Sequence, residues 1–413
     1  MKVNRKALTA LVATLAMIVP AIFTANNASA VTKTTIEYWL WQDNATDTTW
    51  ADLAQQFNST NPTVQVNLQV IPLAQYPDKL ATSLVSGNGP DVARFKDSWL
   101  GAYVKNKLAA PLSSKISAWG RGGNVNASAF DAGRVPGSSE VYMMPHQNTA
   151  IYMYYNKAIF KKYNLSAPKT QDDVAAIAKT LAASDQYALD IRGGAGGQDQ
   201  WAAWMLAGGA RFTDESGNIT IDNAKAISVN QKYLDLNKYA PPGSSTAAFA
   251  QVKANFLAGT TAMMIHHVGS LVEMRAKWGA DLGVIPIPAE DPKAPATIQA
   301  MSGNLILASS KKQAAAFKWV SWLLTAGPML KMSMSAQGQL AVTKTESAKQ
   351  GNGTDAGYKV ALTAAKTAQS WPRLVGTTTV TSATWAPTLQ EAFAGKSTSA
   401  EALKKIAATL AQK

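Results

Sequence analysis

The side chains able to do chemistry in this sequence gather in short clusters. Trp41, Gln42, Asp43 and Asn44 stand together near the start, and Arg94, Lys96, Asp97 and Trp99 form a second group. His146, Gln147, Asn148 and Thr149 follow. A glycine turn, Gly193-Gly194-Ala195-Gly196-Gly197, runs into Gln198, Asp199 and Trp201. His266 and His267 are adjacent, Gly303 lies in Met301-Ser302-Gly303-Asn304, and Trp371 stands just before Pro372 and Arg373. Indole rings offer flat apolar platforms, while amides, carboxylates and guanidinium groups offer paired hydrogen bonds. Together these groups suit a solute with hydroxyls around its rim and weakly apolar C–H faces.

The same inventory argues against several kinds of reaction. No H-E-x-x-H, Walker A or G-x-S-x-G pattern occurs. With no cysteine, thiolate catalysis, Cys-ligated metals and disulfides are excluded. Adjacent histidines rarely share an ion and His146 is the remaining histidine, so no metal site is expected. The glycine turn fails the G-x-G-x-x-G spacing, and no cofactor is expected. A facing pair of carboxylates for glycoside hydrolysis is the enzymatic reading that spacing leaves open.

These residues need elements to hold them. A chain of 413 residues points to two lobes, and 47% hydrophobic with 16% charged residues fits a folded protein. Lys2, Arg5 and Lys6, an apolar run from Ala7 to Phe23 and small residues at Ala28-Ser29-Ala30 have the layout of a secretory signal over residues 1–30. Without a cysteine after it, the exported chain is expected to be periplasmic or at the cell surface and not lipidated through cysteine. Removing the three basic residues of that segment lowers the formal charge from +13 to +10. The basic residues are scattered, so no nucleic-acid partner is expected.

Residues Thr35 to Trp41 read as a strand, followed by a helix capped by Asp47 or Thr48 with Trp50, Leu53, Ala54 and Phe57 on one face. Val64, Val66, Leu68 and Val70 alternate as a strand does. A helix from about Tyr76 to Ser86 and a strand from Asp91 to Phe95 complete a parallel unit. Further on, Thr170 and Asp173 form a capping box, and Asp222 reads as the cap of a helix reaching Leu236. Phe249 to Leu257 is a helix, Thr261 to Ile265 a buried strand, and Glu401 to Leu410 a final helix.

Four stretches in order resemble family 1 extracellular solute-binding proteins, the group that includes maltose-binding protein. They are Leu84-Val85-Ser86-Gly87-Asn88-Gly89-Pro90-Asp91-Val92; Val141 to Pro145 with Tyr154 to Leu165, Pro168 and Thr170; Phe256 to Met263; and Leu389 to Leu403. The resemblance implies an α/β, two-lobed periplasmic-binding-protein fold of type II. Each lobe is a mainly parallel sheet flanked by helices, with three hinge crossings near Gln147–Thr149, Gln299–Ser302 and Leu340–Thr343. The lobes then comprise residues 31–147 with 302–340, and residues 148–301 with 341–413.

It also implies a binding component of an ABC importer rather than an enzyme. Such a component closes on a carbohydrate between the lobes, is expected to be monomeric, and presents the closed state to a membrane permease. Ligand contacts are expected beyond strand ends. The candidates are Trp41, Asp43, Asn44, Arg94, Asp97, Asn148, Gln198, Asp199, Trp201, His266, His267, Gly303, Trp371 and Arg373. For several a plainer reading stands beside the ligand role. Trp41 fits a core, Trp371 a ring packed on Pro372, Asp43 a helix cap, and Asp97 a salt-bridged turn. The two histidines depart from the family pattern, which has Gly and often Trp there, so the resemblance supplies no stacking residue at this point and a hydrogen-bonding role is expected instead. The abundance of Trp, Asn and Asp favours a neutral sugar. The alternative is a glycerol phosphodiester or another polar solute, for which Arg94 and Arg373 are the basic candidates.

Overall fold

The computed structural model describes residues 32–42, 47–73, 75–194, 196–293, 296–335, 338–351 and 355–412. The signal-like segment therefore lies outside the described residues, as do Asp43 and Asn44. The strands are β1 (Thr34–Leu40), β2 (Val64–Val70), β3 (Val92–Lys96), β4 (Met143–Asn156), β5 (Tyr187–Leu189), β6 (Thr261–His267), β7 (Leu282–Ile285), β8 (Thr297–Ile306) and β9 (Ala368–Gln369). They follow the order β2-β1-β3-β8-β4-β6-β5, with β7 on β4 and β9 on β8. Pairing is parallel at both ends of this path, β1 with β2 and β3, and β5 with β6. It is antiparallel at the centre, where β8 meets β3 and β4. The chain is thus a mixed α/β protein with helices packed on its sheet.

Local chemistry accounts for the elements. In β2, Val64 and Val66 are buried between exposed Gln65 and Asn67, while Val70 at the strand end turns out to solvent at 50% exposure. Asp47 Oδ1 accepts from the Thr49 amide at 3.0 Å and opens the helix Thr49–Thr60. The expected capping box of Thr170 with Asp173 forms, and a second, Thr398 with Glu401, opens the last helix; each satisfies amides that a helix start leaves bare. At Ala224–Leu236 the cap is Asn223, not Asp222, because the Asn223 side chain reaches the Ala226 amide at 2.8 Å.

Three buried clusters organise the interior. One holds Tyr38, Trp50, Phe57, Leu80, Phe95, Met143, Leu305 and Trp319. A second holds Ile151, Met153, Trp201, Trp204, Met263, Trp371, Trp385 and Leu403. A smaller third contains Tyr152, Tyr154, Phe256, Met264 and Leu340. The alternation of β4 divides its side chains between the last two, Ile151 and Met153 on one face and Tyr152 and Tyr154 on the other.

Between the clusters the chain crosses in adjacent segments. Gln147 pairs with Ser302, Asn148 with Met301 and Thr149 with Ala300. The ladder shifts register between Pro145 and Gln147, where proline has no N–H to give. Leu340 joins alongside, exchanging backbone hydrogen bonds of 3.0 and 2.9 Å with Asn148.

Candidate functional site

A cavity of about 240 Å³ opens at these crossings. Trp41, Gln42, Leu73, Arg94 and Lys96 wall it on the side of the first cluster. Arg192, Gly196, Asp199, Phe249 and His267 face them, and Thr149, Ala300, Ser302 and Gln339 form the floor. Trp41 and Gln42 lie just beyond β1, Lys96 ends β3 and His267 ends β6. The walls therefore sit at the carboxyl ends of strands, where side chains leave the sheet and backbone groups are free to turn.

On the first wall, Trp41 packs edge-on against Tyr76, with ring centroids 5.1 Å apart. The Arg94 guanidinium covers a face of Trp41 at 4.2 Å and donates to Trp41 O at 2.6 Å and to Gln147 Oε1 at 3.3 Å. Trp41 thus builds the wall with only 1% of its surface exposed. On the second wall, Phe249 and His267 are stacked, 5.6 Å apart and 16° from parallel, and Arg192 lies 5.3 Å from the Phe249 centroid. His267 Nδ1 accepts from the Gly269 amide at 3.1 Å, which leaves the hydrogen of the neutral ring on Nε2.

Asp199 stands in the first turn of the helix Gln198–Ala207 and accepts from Trp371 Nε1 at 2.9 Å. In the floor, Gln339 is 4% exposed, and its Oε1 has no hydrogen-bond partner among the described residues. A buried carbonyl left in this way costs free energy until a donor reaches it, so it is a ready acceptor for a solute hydroxyl.

Of the residues expected from sequence, Trp41, Arg94, Asp199 and His267 come together here. Asp43 and Asn44 fall outside the described residues, and the remaining candidates do not line the cavity. Trp201 is fully buried, donates to Asn230 Oδ1 at 2.8 Å, and stacks on Trp371, itself only 1% exposed. Both rings are core, because large apolar faces gain most from full burial. His266 is fully buried beside Ser270 Oγ at 2.9 Å, its ring 4.3 Å from that of His267 and 4.6 Å from that of Phe249, so it packs behind these rings and does not line the cavity. Burial holds its imidazole, and that of His146, well below the usual histidine range, so both are neutral.

Asn148 donates to Gln299 Oε1 at 2.9 Å and borders a separate groove beside Leu340 and Lys344. Gln198 is buried at the helix start. Gly303 is a packing position: a Cβ there would stand 2.6 Å from Met143 Cγ and 2.7 Å from Met144 O. Its neighbour Ser302 is the residue that reaches the cavity.

Asp97 and Arg373 interact beside the cavity without lining it. Burial pushes the Asp97 carboxyl up to about 7, against the pull of Arg373 and the Ser370 hydroxyl and with Asp199 adding to the rise. Asp97 Oδ2 and Arg373 Nε are both buried without a hydrogen-bond partner among the described residues. Nearby, Gly101 packs so closely on the C-terminal segment that a Cβ would lie 2.5 Å from both Arg373 O and Leu374 O.

Arg192, Phe249 and Gln339 were not legible as site residues. Arg192 had one sequence signal, a charge immediately before a glycine turn. Gly196 has φ of +82°, and a Cβ on it would stand 2.1 Å from Arg192 Nη2, so that turn gives the guanidinium its place.

A strand-end cavity in an α/β chain, lined by aromatic rings and hydrogen-bonding side chains, has the form of a small-solute site. Residues 42–329 match the model of the bacterial extracellular solute-binding proteins, and the chain belongs to that family. It is 22% identical over 285 residues to the maltotriose-binding protein of Pyrococcus abyssi, covering 68% of this chain and 60% of that one. Two solved structures have the same fold. One is an ABC substrate-binding protein of Listeria monocytogenes in complex with cycloalternan, with TM-score 0.79, 20% identity, and coverage of 92% of this chain and 98% of the other. The second is an ABC transporter solute-binding protein of Thermotoga lettingae bound with α-D-tagatose, with TM-score 0.81, 19% identity, and coverage of 92% and 99%.

Proposed function

We propose that this chain is the exported substrate-binding component of an ABC-type carbohydrate importer. It takes a mono- or short oligosaccharide into the cavity and releases it unchanged to a membrane permease. The observation that carries this reading is the lining itself: the Phe249–His267 platform, the Trp41 wall, and hydrogen-bonding groups from Gln42, Asp199 and Gln339 converging on one small space. Rings for C–H faces and planar polar groups for hydroxyls are what a sugar requires. The volume falls below the roughly 300–1,000 Å³ of pockets for drug-sized ligands, which favours a small sugar.

On this reading residues 31–147 with 302–340 and residues 148–301 with 341–413 are the two lobes, and the crossings act as the hinge. Closure around a bound sugar stabilises the state that the permease reads. A thermal-shift panel of mono- and oligosaccharides, with a glycerol phosphodiester as control, tests it. At least one sugar raises the melting temperature and is recovered intact. Stabilisation by the phosphodiester alone, or product released from an oligosaccharide, contradicts the proposal.

A further inference from the structure

The second wall of the cavity is assembled from pieces that lie far apart in the chain. Arg192 and Gly196 belong to the turn after β5, and Phe249 opens the helix Phe249–Leu257. The Arg192 guanidinium lies 5.3 Å from the Phe249 centroid, so the two pieces meet at the wall itself. A buried carboxylate that does not line the cavity connects them. Asp190, 5% exposed, directly follows β5. Its Oδ1 accepts from Ser244 Oγ, and its Oδ2 accepts from Asn255 Nδ2 at 2.5 Å. Ser244 Oγ in turn accepts from the Ile191 amide at 2.5 Å, and Asn255 Oδ1 accepts from Gln251 Nε2 at 2.9 Å. Asp190, Ser244 and Asn255 border a separate pocket of about 380 Å³.

A buried carboxylate is costly unless donors meet it. Burial raises the Asp190 carboxyl above its ordinary range, while the Ser244 and Asn255 donors pull it down. Those donors come from the two segments that the wall needs fixed. Ser244 starts a stretch that lies against the turn: Ser244 O accepts from the Gly193 amide at 3.3 Å, and Ala247 O from the Gly194 amide at 3.0 Å. A Cβ on Gly193 would stand 1.9 Å from Ser245 O, and one on Gly194 2.6 Å from Thr246 O, so glycine is what lets the two backbones approach. Asn255 lies on the helix that begins with Phe249. We propose that Asp190 is a positioning residue for ligand binding, fixing Arg192 and Phe249 relative to each other by tying together the turn and the helix that carry them. The inference rests on the carbohydrate reading above and adds to it a residue that touches no ligand. A binding wall keeps its contacts when it is held to within about 0.5 Å, and residues outside the site do that holding.

Second-site rescue tests this. Asn255→Asp sets a carboxylate against Asp190 Oδ2 in place of a donor. Adding Asp190→Asn restores the bond with donor and acceptor exchanged, and leaves Ser244 and Gln251 their acceptors. Thr398→Ala, at the start of the last helix, is the control for lost stability alone. Asn255→Ala, which removes the donor without adding charge, takes the place of Asn255→Asp if that variant does not fold. Isothermal titration of the full protein uses whichever of glucose, maltose, maltotriose and tagatose raises its melting temperature most. Asn255→Asp weakens binding about tenfold, the double variant returns to within about threefold of wild type, and Thr398→Ala binds as wild type does. Hydrogen exchange at the Gly193 and Gly194 amides, which needs no ligand, is about tenfold faster in Asn255→Asp. Unchanged affinity in Asn255→Asp, no recovery in the double variant, or unchanged exchange at both glycines overturns the inference and leaves the carbohydrate reading standing. A wild type that binds none of the four sugars overturns both.

Discussion

At the scale of single residues, aromatic side chains serve opposite ends. Trp201 is fully buried in the second cluster, whereas Phe249 stands half-buried on the cavity wall. Trp201→Ala is expected to cost about 3–5 kcal/mol of stability, measured by denaturant unfolding. Phe249→Ala is expected to cost less stability and more affinity. A variant pair with the reverse pattern would contradict these placements. Asp97 makes a pH prediction. Its carboxyl titrates at about 7 in the folded chain because of burial, against about 3.9 for an unperturbed Asp. Between those values the folded protein keeps a proton that the unfolded chain has lost. Stability therefore falls as pH rises through the window, by up to about 1.4 kcal/mol per pH unit. Asp97→Asn removes this contribution, so the difference in stability between wild type and variant changes from pH 4 to 7. Parallel pH curves for the two proteins would refute it. Neutral, buried His146 and His266 act in the opposite sense, losing stability as pH falls.

At the scale of elements, the caps and periodicities were readable because they are local. Thr170 with Asp173, Asp47 before Thr49, and alternating Val64 and Val66 act within a few residues. Thr398→Ala opens the capping box of the helix Ser399–Leu410 and is expected to cost about 1 kcal/mol, visible as a lower melting temperature. Where two cap-forming residues are adjacent, as at Asp222 and Asn223, sequence does not rank them; the chain direction at the helix start does. Contacts between distant elements were not readable. The helix Leu100–Lys105 meets the segment before Val375–Thr379 at Gly101, where no side chain fits. Gly101→Ala must push that segment away and is expected to destabilise by about 1–3 kcal/mol in thermal unfolding. A variant as stable as wild type would mean that the approach is looser than described.

At the scale of the whole molecule, solute binding and stability are linked. A ligand at one hundred times its Kd adds about 2.7 kcal/mol to a protein that binds it only when folded. Small-angle scattering on the same samples is expected to give a smaller radius of gyration with saturating sugar. An unchanged radius would argue against closure as the response to binding. Among the described residues no helix is long and apolar enough to cross a membrane, and no group of His, Asp or Glu could hold a metal ion. The cavity at the crossings is built from segments far apart in the chain, from Trp41 to Gln339.

By itself the sequence determined the family and the order of the elements, because ordered motifs, caps and hydrophobic periods are properties of neighbouring residues. It also brought Trp41, Arg94, Asp199 and His267 forward, since polar and aromatic residues just beyond strand ends have few other places to go. Only the tertiary structure decided which aromatic residues are walls and which are core. Trp201 and Trp371 carry the same chemical potential for stacking as Phe249, but they pack on each other inside the second cluster. It alone buried His266 while leaving His267 on the cavity wall, set Asp97 against Arg373, and brought Arg192 into a site with Arg94 and Lys96. Those outcomes depend on long-range packing and on burial of charge, which are set by elements that meet only when the chain is folded.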